Sequence, residues 1–201
     1  NHHWTKAMTA SSDGSKLYVG IGSNSNVGEN GMGVEAGRAA IWEVDTKTGA
    51  HRIFAAGLRN PVGFDWQPQT GVLYASNNGP DHLGYEQPPE YFSKLTPDSF
   101  HGMPWFQFDG KQLQRDDCAS SNPPRPLSEV SKPAATFPSR NAPLGMAFVP
   151  RGAMDATLEF DAAVALHGSW GTQPGGGFIG RAATRREPKI VIVRFQNGEP
   201  V

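Results

Sequence analysis

Two short segments carry residue types suited to recognising charge. In Gly57-Leu58-Arg59-Asn60-Pro61, an Arg and an Asn stand between a glycine turn and the proline that opens a strand. The Arg guanidinium is a rigid fork of donors matched to a carboxylate or a developing oxyanion, and Asn adds a donor and an acceptor. The bland alternative is a pair that caps its own loop. In Asn77-Asn78-Gly79-Pro80-Asp81, the backbone carbonyls at Gly79 and Pro80 are hard oxygen ligands of the kind Ca²⁺ takes. Asp81, Glu86 and Glu90 either complete such an oxygen shell or are solvated loop charges. An ordinary Asn-Gly-Pro turn uses the same residues.

The six histidines include no helical metal pair. His2-His3-Trp4 stands just before the first strand, where a His, titrating near neutrality, can act as a general base; the remnant of a tag is the competing reading. His101-Gly102-Met103-Pro104-Trp105 and His167-Gly168-Ser169-Trp170 each set a Trp beside a His and a Gly, suited either to walling a flat ligand or to the core. Ser169 is not in a Gly-x-Ser-x-Gly elbow, and the Gly171 to Gly180 stretch lacks the strand-to-helix context of a phosphate loop.

The elements that must position these residues are short. The chain has 201 residues with 24 Gly and 17 Pro, well above the roughly 12% that the two usually make up together, so it is rich in turns. Strand-length apolar stretches recur, among them 16–21, 40–44, 72–75, 144–149, 162–166 and 190–195. Ser12-Asp13-Gly14-Ser15, Lys47-Thr48-Gly49 and Gln69-Thr70-Gly71 separate them with hairpin chemistry, and no amphipathic helix longer than about two turns is legible. The fold class is all-β.

Two internal echoes refine this. Leu17-Tyr18 after Asp13-Gly14 matches Leu73-Tyr74 after Thr70-Gly71, and Pro61-Val62-Gly63-Phe64 matches Pro143-Leu144-Gly145-Met146. Repeats of about 40–50 residues built from four strands are the signature of a β-propeller. At that spacing this chain supplies three to four blades, so residues 1–201 are expected to form a single partial propeller domain with a long inserted loop at about 88–138. Missing blades or a homo-oligomer would cover the open edges.

The remaining bounds are exclusions. A net charge of -1, with 18 Lys and Arg against 19 Asp and Glu, disfavours nucleic acid as a partner. The longest apolar runs are far shorter than the roughly 20 residues of a membrane helix. Cys118, alone, forms no internal disulfide. No signal peptide is visible from Asn1 onward, a start that predicts processing or truncation.

In this order, His3, Asp13-Gly14-Ser15-Lys16-Leu17-Tyr18-Val19, Gly57-Leu58-Arg59-Asn60-Pro61, Asn78-Gly79-Pro80, Gly102-Met103-Pro104-Trp105 and His167-Gly168-Ser169-Trp170 resemble the glucose/sorbosone dehydrogenase family, above all its L-sorbosone dehydrogenase branch. These are soluble quinoproteins that carry pyrroloquinoline quinone (PQQ) on a six-bladed propeller. The resemblance implies a periplasmic or secreted PQQ- and Ca²⁺-dependent oxidation of an aldose or sorbosone-like sugar, with a separate electron acceptor. It implies His3 as the base, with His2 the alternative by spacing to Lys6. It implies Arg59 over the quinone carbonyl with Asn60 beside it, and Gly79 and Pro80 as carbonyl ligands of Ca²⁺.

Departures accompany the resemblance. Phe106 stands where relatives often carry a Cys that pairs with one near Cys118, and Arg181, Arg185 and Arg186 fall in a divergent stretch where a basic residue for the PQQ carboxylates is expected. Two other functions share the scaffold: a non-catalytic or truncated propeller piece, and a Ca²⁺-dependent lactonase-like hydrolase, which would need carboxylates converging on a channel metal.

Overall fold

The computed structural model describes residues 3–4, 6–169 and 185–201. Among them are sixteen β-strands, two single-turn 3-10 helices and no α-helix. Strands β1 (Lys6–Ala10), β2 (Lys16–Ile21), β3 (Ala40–Asp45) and β4 (His51–Ala56) form an antiparallel meander. A second meander runs β5 (Pro61–Trp66), β6 (Leu73–Asn77), β7 (Glu90–Leu95), and a third runs β12 (Pro143–Phe148), β13 (Ala162–Leu166), β14 (Lys189–Val193). The first strands of the three meanders are neighbours, with β5 lying against β1 on one side and β12 on the other. Among the described residues this makes three neighbouring blades, within the three to four that the sequence predicted.

Turn chemistry is local and repetitive. Asp13 Oδ1 accepts the Ser15 amide, Asp45 Oδ1 those of Lys47 and Thr48, and Gln67 Oε1 those of Gln69 and Thr70. Each turn then closes on a glycine with positive φ, at Gly14, Gly49 and Gly71.

Both echoes mark equivalent blade positions. Tyr18 and Tyr74 lie on the second strands of the first and second blades, each at the centre of an aromatic cluster: Tyr18 meets Phe54 and Trp66 edge-on, and Tyr74 stacks on Phe92 while Phe148 and Phe195 meet it edge-on. The other pair opens β5 and β12, and both strands break register at the same point against their partners, between Pro61 and Gly63 and between Pro143 and Met146. Gly63 is required by the close approach of these strands: a Cβ there would sit 2.3 Å from the Leu144 oxygen.

Alternation along β6 builds both cores of the second blade. Leu73 and Ala75 join Tyr18, Ile41, Phe54 and Leu95 on one face, while Tyr74 joins Phe92, Phe148, Val164 and Leu166 on the other. Ser76, on the second face, donates to the Leu144 oxygen of β12.

One boundary differs from the expectation. The stretch 88–138 is not all loop, because β7 begins at Glu90 and β11 (Ala135–Phe137) pairs with β7 as the outer strand of the second blade. The excursion is therefore 96–134. It carries β8 (Ser99–Phe100), which adds to β4 in parallel, and a hairpin of β9 (Phe106–Phe108) and β10 (Leu113–Arg115). A second hairpin, β15 (Phe195–Gln196) with β16 (Glu199–Pro200), follows the third blade.

Candidate functional site

In an antiparallel meander every even strand ends at the same end of the blade. Ser23–Asn26 after β2, Gly57–Asn60 after β4 and Asn78–Asp81 after β6 are thereby brought together, and His3, entering β1, starts from that end too.

Arg59 is the hub. It is only 5% exposed, its Nε donates to the Asn26 carbonyl at 2.9 Å, Nη1 to the Gly79 carbonyl at 2.8 Å, and Nη2 to Asn26 Oδ1 at 2.7 Å. Asp81, at 3.3 Å from Nη2, supplies a carboxylate at the exposed rim. Burial pulls the Arg59 pKa down, with Asp81 and Glu90 opposing it; an Arg remains charged throughout.

Gly79 is held from both sides. Its N–H donates to Glu90 Oε2 at 2.6 Å, and Glu90, the buried first residue of β7, also accepts the Ala142 amide through Oε1. Burial pushes the Glu90 carboxyl up to about 7, against the opposing effects of the Gly79 N–H and Arg59. The Pro80 carbonyl accepts Arg140 Nη1 at 2.7 Å, and the same nitrogen reaches Asp81 Oδ1 at 2.6 Å.

Asn60 and His3 meet at Gly22. A Cβ on Gly22 would lie 2.5 Å from Asn60 Oδ1 and 2.5 Å from the His3 Cβ, so only glycine allows the approach. Asn60 Oδ1 is buried and has no hydrogen-bond partner. His3 Nδ1 sits 3.1 Å from the Ser23 carbonyl and 3.0 Å from Ser23 Oγ, and the Ser23 amide donates to the Arg59 carbonyl at 2.7 Å. A carbonyl only accepts, so Nδ1 carries a hydrogen, which in the neutral ring leaves the lone pair on Nε2. His3, Arg59, Asn60, Gly79 and Pro80 thus belong to one connected group, which Asn78 ties to the third blade by donating to the Pro143 carbonyl.

Other expected residues go elsewhere. Glu86 pairs with Arg186, which lies over the Tyr85 ring and donates to the Ser139 carbonyl. Ser169 Oγ accepts the Arg186 amide, a structural use of that hydroxyl. His101 is buried against Ser99 Oγ, and burial pulls its pKa down to about 4. Trp105 packs on Phe100 and donates to Ser121 Oγ, so it belongs to the core of the excursion. His2, Trp170, the Gly171 to Gly180 stretch and Arg181 lie outside the described residues.

Ser23, Asn26 and Arg140 carry the site without any motif of their own. The legible signal for the first two was position alone, a polar run placed directly after β2 at the same blade end as the other loops.

No family model matches the sequence. The structure superposes on a Trichoderma reesei carbohydrate-active enzyme of family AA12 with a TM-score of 0.79 at 21% identity, covering 100% of this chain and 55% of that one. The PQQ domain of pyranose dehydrogenase from Coprinopsis cinerea gives 0.70 at 20% identity, covering 99% and 55%. The fold is the β-propeller that these solved structures share. The soluble aldose sugar dehydrogenase of Escherichia coli shares it at a TM-score of 0.64 and 13% identity, covering 100% and 53%. In sequence, an uncharacterized protein of Borreliella burgdorferi is 30% identical over 169 residues, 84% of this chain and 42% of that protein. The chain spans about half the length of the solved structures it matches.

Proposed function

We propose that this chain is the part of a quinoprotein sugar dehydrogenase that holds the proton acceptor and the cation ligands. The observation that carries the reading is the joining of His3, Arg59-Asn60 and Gly79-Pro80, three separated segments, into one hydrogen-bonded group at one blade end. The shared fold supports it.

The residues present fit the groups implied. Each carbonyl of Gly79 and Pro80 accepts one guanidinium N–H and keeps a second lone pair for a hard cation such as Ca²⁺. Arg59 and Arg140 make the surroundings electropositive, which suits a cofactor bearing carboxylates, and the unpartnered Asn60 Oδ1 offers it a polar contact. When bound, PQQ supplies the two-electron acceptor and Ca²⁺ the Lewis acid that polarises it.

The chain's own work is acid–base and electrostatic. His3 takes the proton of the sugar hydroxyl at Nε2 as hydride leaves the same carbon, and Ser23 fixes the tautomer that permits this. Arg59 stabilises negative charge that develops beside it while holding the Gly79 carbonyl in place. The substrate is an aldose or sorbosone-like sugar, the electrons pass to a separate acceptor, and the compartment is the periplasm or the exterior.

The hydrolase alternative loses its footing here, because Asp81, Glu86 and Glu90 are engaged by Arg59 and Arg140, by Arg186 and by the Gly79 amide. Dye reduction measured with several aldoses, with PQQ and Ca²⁺ added together and singly, tests the proposal. Turnover is expected only with both, and turnover indifferent to Ca²⁺ would contradict it.

A further inference from the structure

A second polar cluster adjoins a small cavity of about 10 Å³ whose wall includes Arg59, Gly79, His101, Gln107 and Asp116. His82 Nε2 is 3.1 Å from the Asp116 carboxylate, and the ligand atoms of His82, Asp116 and Cys118 all lie within 4.8 Å of one another. The Asp116 side chain is 2% exposed; its Oδ1 accepts the Cys118 amide, while its Oδ2 faces His82 Nε2 at 3.1 Å and makes no regular hydrogen bond, and the buried Gln107 Oε1 has no hydrogen-bond partner. Two buried acceptor oxygens left incomplete beside an imidazole are costly unless something further joins them.

We propose that His82, Asp116 and Cys118 bind a divalent cation of the zinc class. Imidazole, carboxylate and thiolate together form the mixed N, O and S set that zinc and cobalt take, whereas the all-oxygen turn at Gly79 and Pro80 suits calcium. His82 Nε2 and the Asp116 carboxylate are hydrogen-bond partners at 3.1 Å, and a nitrogen and an oxygen on a tetrahedral zinc stand about 3.3 Å apart, so a cation replacing the shared proton would need little movement of either side chain. The exposed Cys118 closes the third position by rotation of its side chain. Water or Gln107 takes the fourth.

The ion would do structural work. His82 follows Pro80 by two residues, while Asp116 and Cys118 sit in the 96–134 excursion just after β10, so the metal would clip the cation-ligand turn to the excursion behind it.

The test is spectroscopic and needs neither PQQ nor sugar. Chelator-treated protein is titrated with Co²⁺, then with Zn²⁺, and compared with Cys118→Ser and His82→Gln. One Co²⁺ per chain is expected, with tetrahedral visible bands and a thiolate charge-transfer band in the near ultraviolet, all displaced by Zn²⁺. Cys118→Ser, at an exposed position, keeps the fold and loses the charge-transfer band; His82→Gln weakens Zn²⁺ binding by about tenfold or more. No Co²⁺ binding, a spectrum without the thiolate band, or a band unchanged in His82→Gln would each overturn the proposal.

Discussion

Two polar clusters flank the same small cavity, and they are built on opposite terms. Around Arg59, each guanidinium nitrogen, both Glu90 oxygens and both backbone polar atoms of Gly79 have partners. Around Asp116, the buried Gln107 Oε1 has none and Asp116 Oδ2 only faces His82 Nε2. A network whose groups are mostly paired holds its shape without a ligand, and so supports the Gly79 and Pro80 carbonyls with the open Asn60 Oδ1 at its edge. A less complete one is worth keeping only if another atom joins it. The difference is between a site braced before anything binds and one that binding itself would complete, and mutation should expose it.

The largest effect is expected at the brace. Arg59→Ala leaves the Gly79 and Asn26 carbonyls without the guanidinium donors, and Asn26 Oδ1 with the Asp81 amide alone, and should cost about 3–5 kcal/mol in urea unfolding. Next comes Glu90→Ala, which orphans the Gly79 amide at a cost of about 1–3 kcal/mol. Glu90→Gln keeps an acceptor and removes a carboxylate that burial disfavours, and should cost under about 1 kcal/mol. Equal losses in the two Glu90 variants would mean that charge, not the hydrogen bond, holds Gly79.

At the other cluster the order reverses. In metal-free protein Asp116→Asn keeps the oxygen that accepts the Cys118 amide and loses only the carboxylate oxygen facing His82, and should cost about 1 kcal/mol. Its larger effect appears when Zn²⁺ is added, as loss of the melting-temperature rise seen in the unaltered protein.

The most specific effect is a pH dependence from His101 in the cavity wall. Its pKa is about 4 when folded against an ordinary 6.5, so the unfolded chain binds a proton that the folded one refuses. Stability therefore falls as pH drops from about 6.5 to about 4. His101→Gln should flatten that part of the stability-versus-pH curve, and an unchanged slope would place the acid sensitivity elsewhere.

What the sequence disclosed and what it hid divide by distance along the chain. The turns at Asp13-Gly14 and Asp45 to Gly49 were legible because acceptor, amide and glycine are within four residues of one another. The echoes were legible because equivalent blade positions repeat the same residue types, although only Gly63, and not its counterpart Gly145, is required by a close approach. β7 was hidden because Pro88 and Pro89 immediately precede it and its first residue is a buried Glu. Asn26 with Arg59, Arg140 with Pro80, and His82 with Asp116 are 33, 60 and 34 residues apart, and no local spacing encodes contacts that only blade packing creates.

The central claim, that His3 and the Arg59–Gly79 group form one PQQ site, is tested most directly by the absorbance of PQQ titrated with the protein in Ca²⁺ and then exposed to an aldose. Calcium-dependent binding followed by sugar-driven reduction is expected in the unaltered protein. His3→Gln should bind PQQ as well but reduce it at least about 100-fold more slowly. Absence of calcium-dependent binding, or equal reduction rates in the two proteins, would contradict the account.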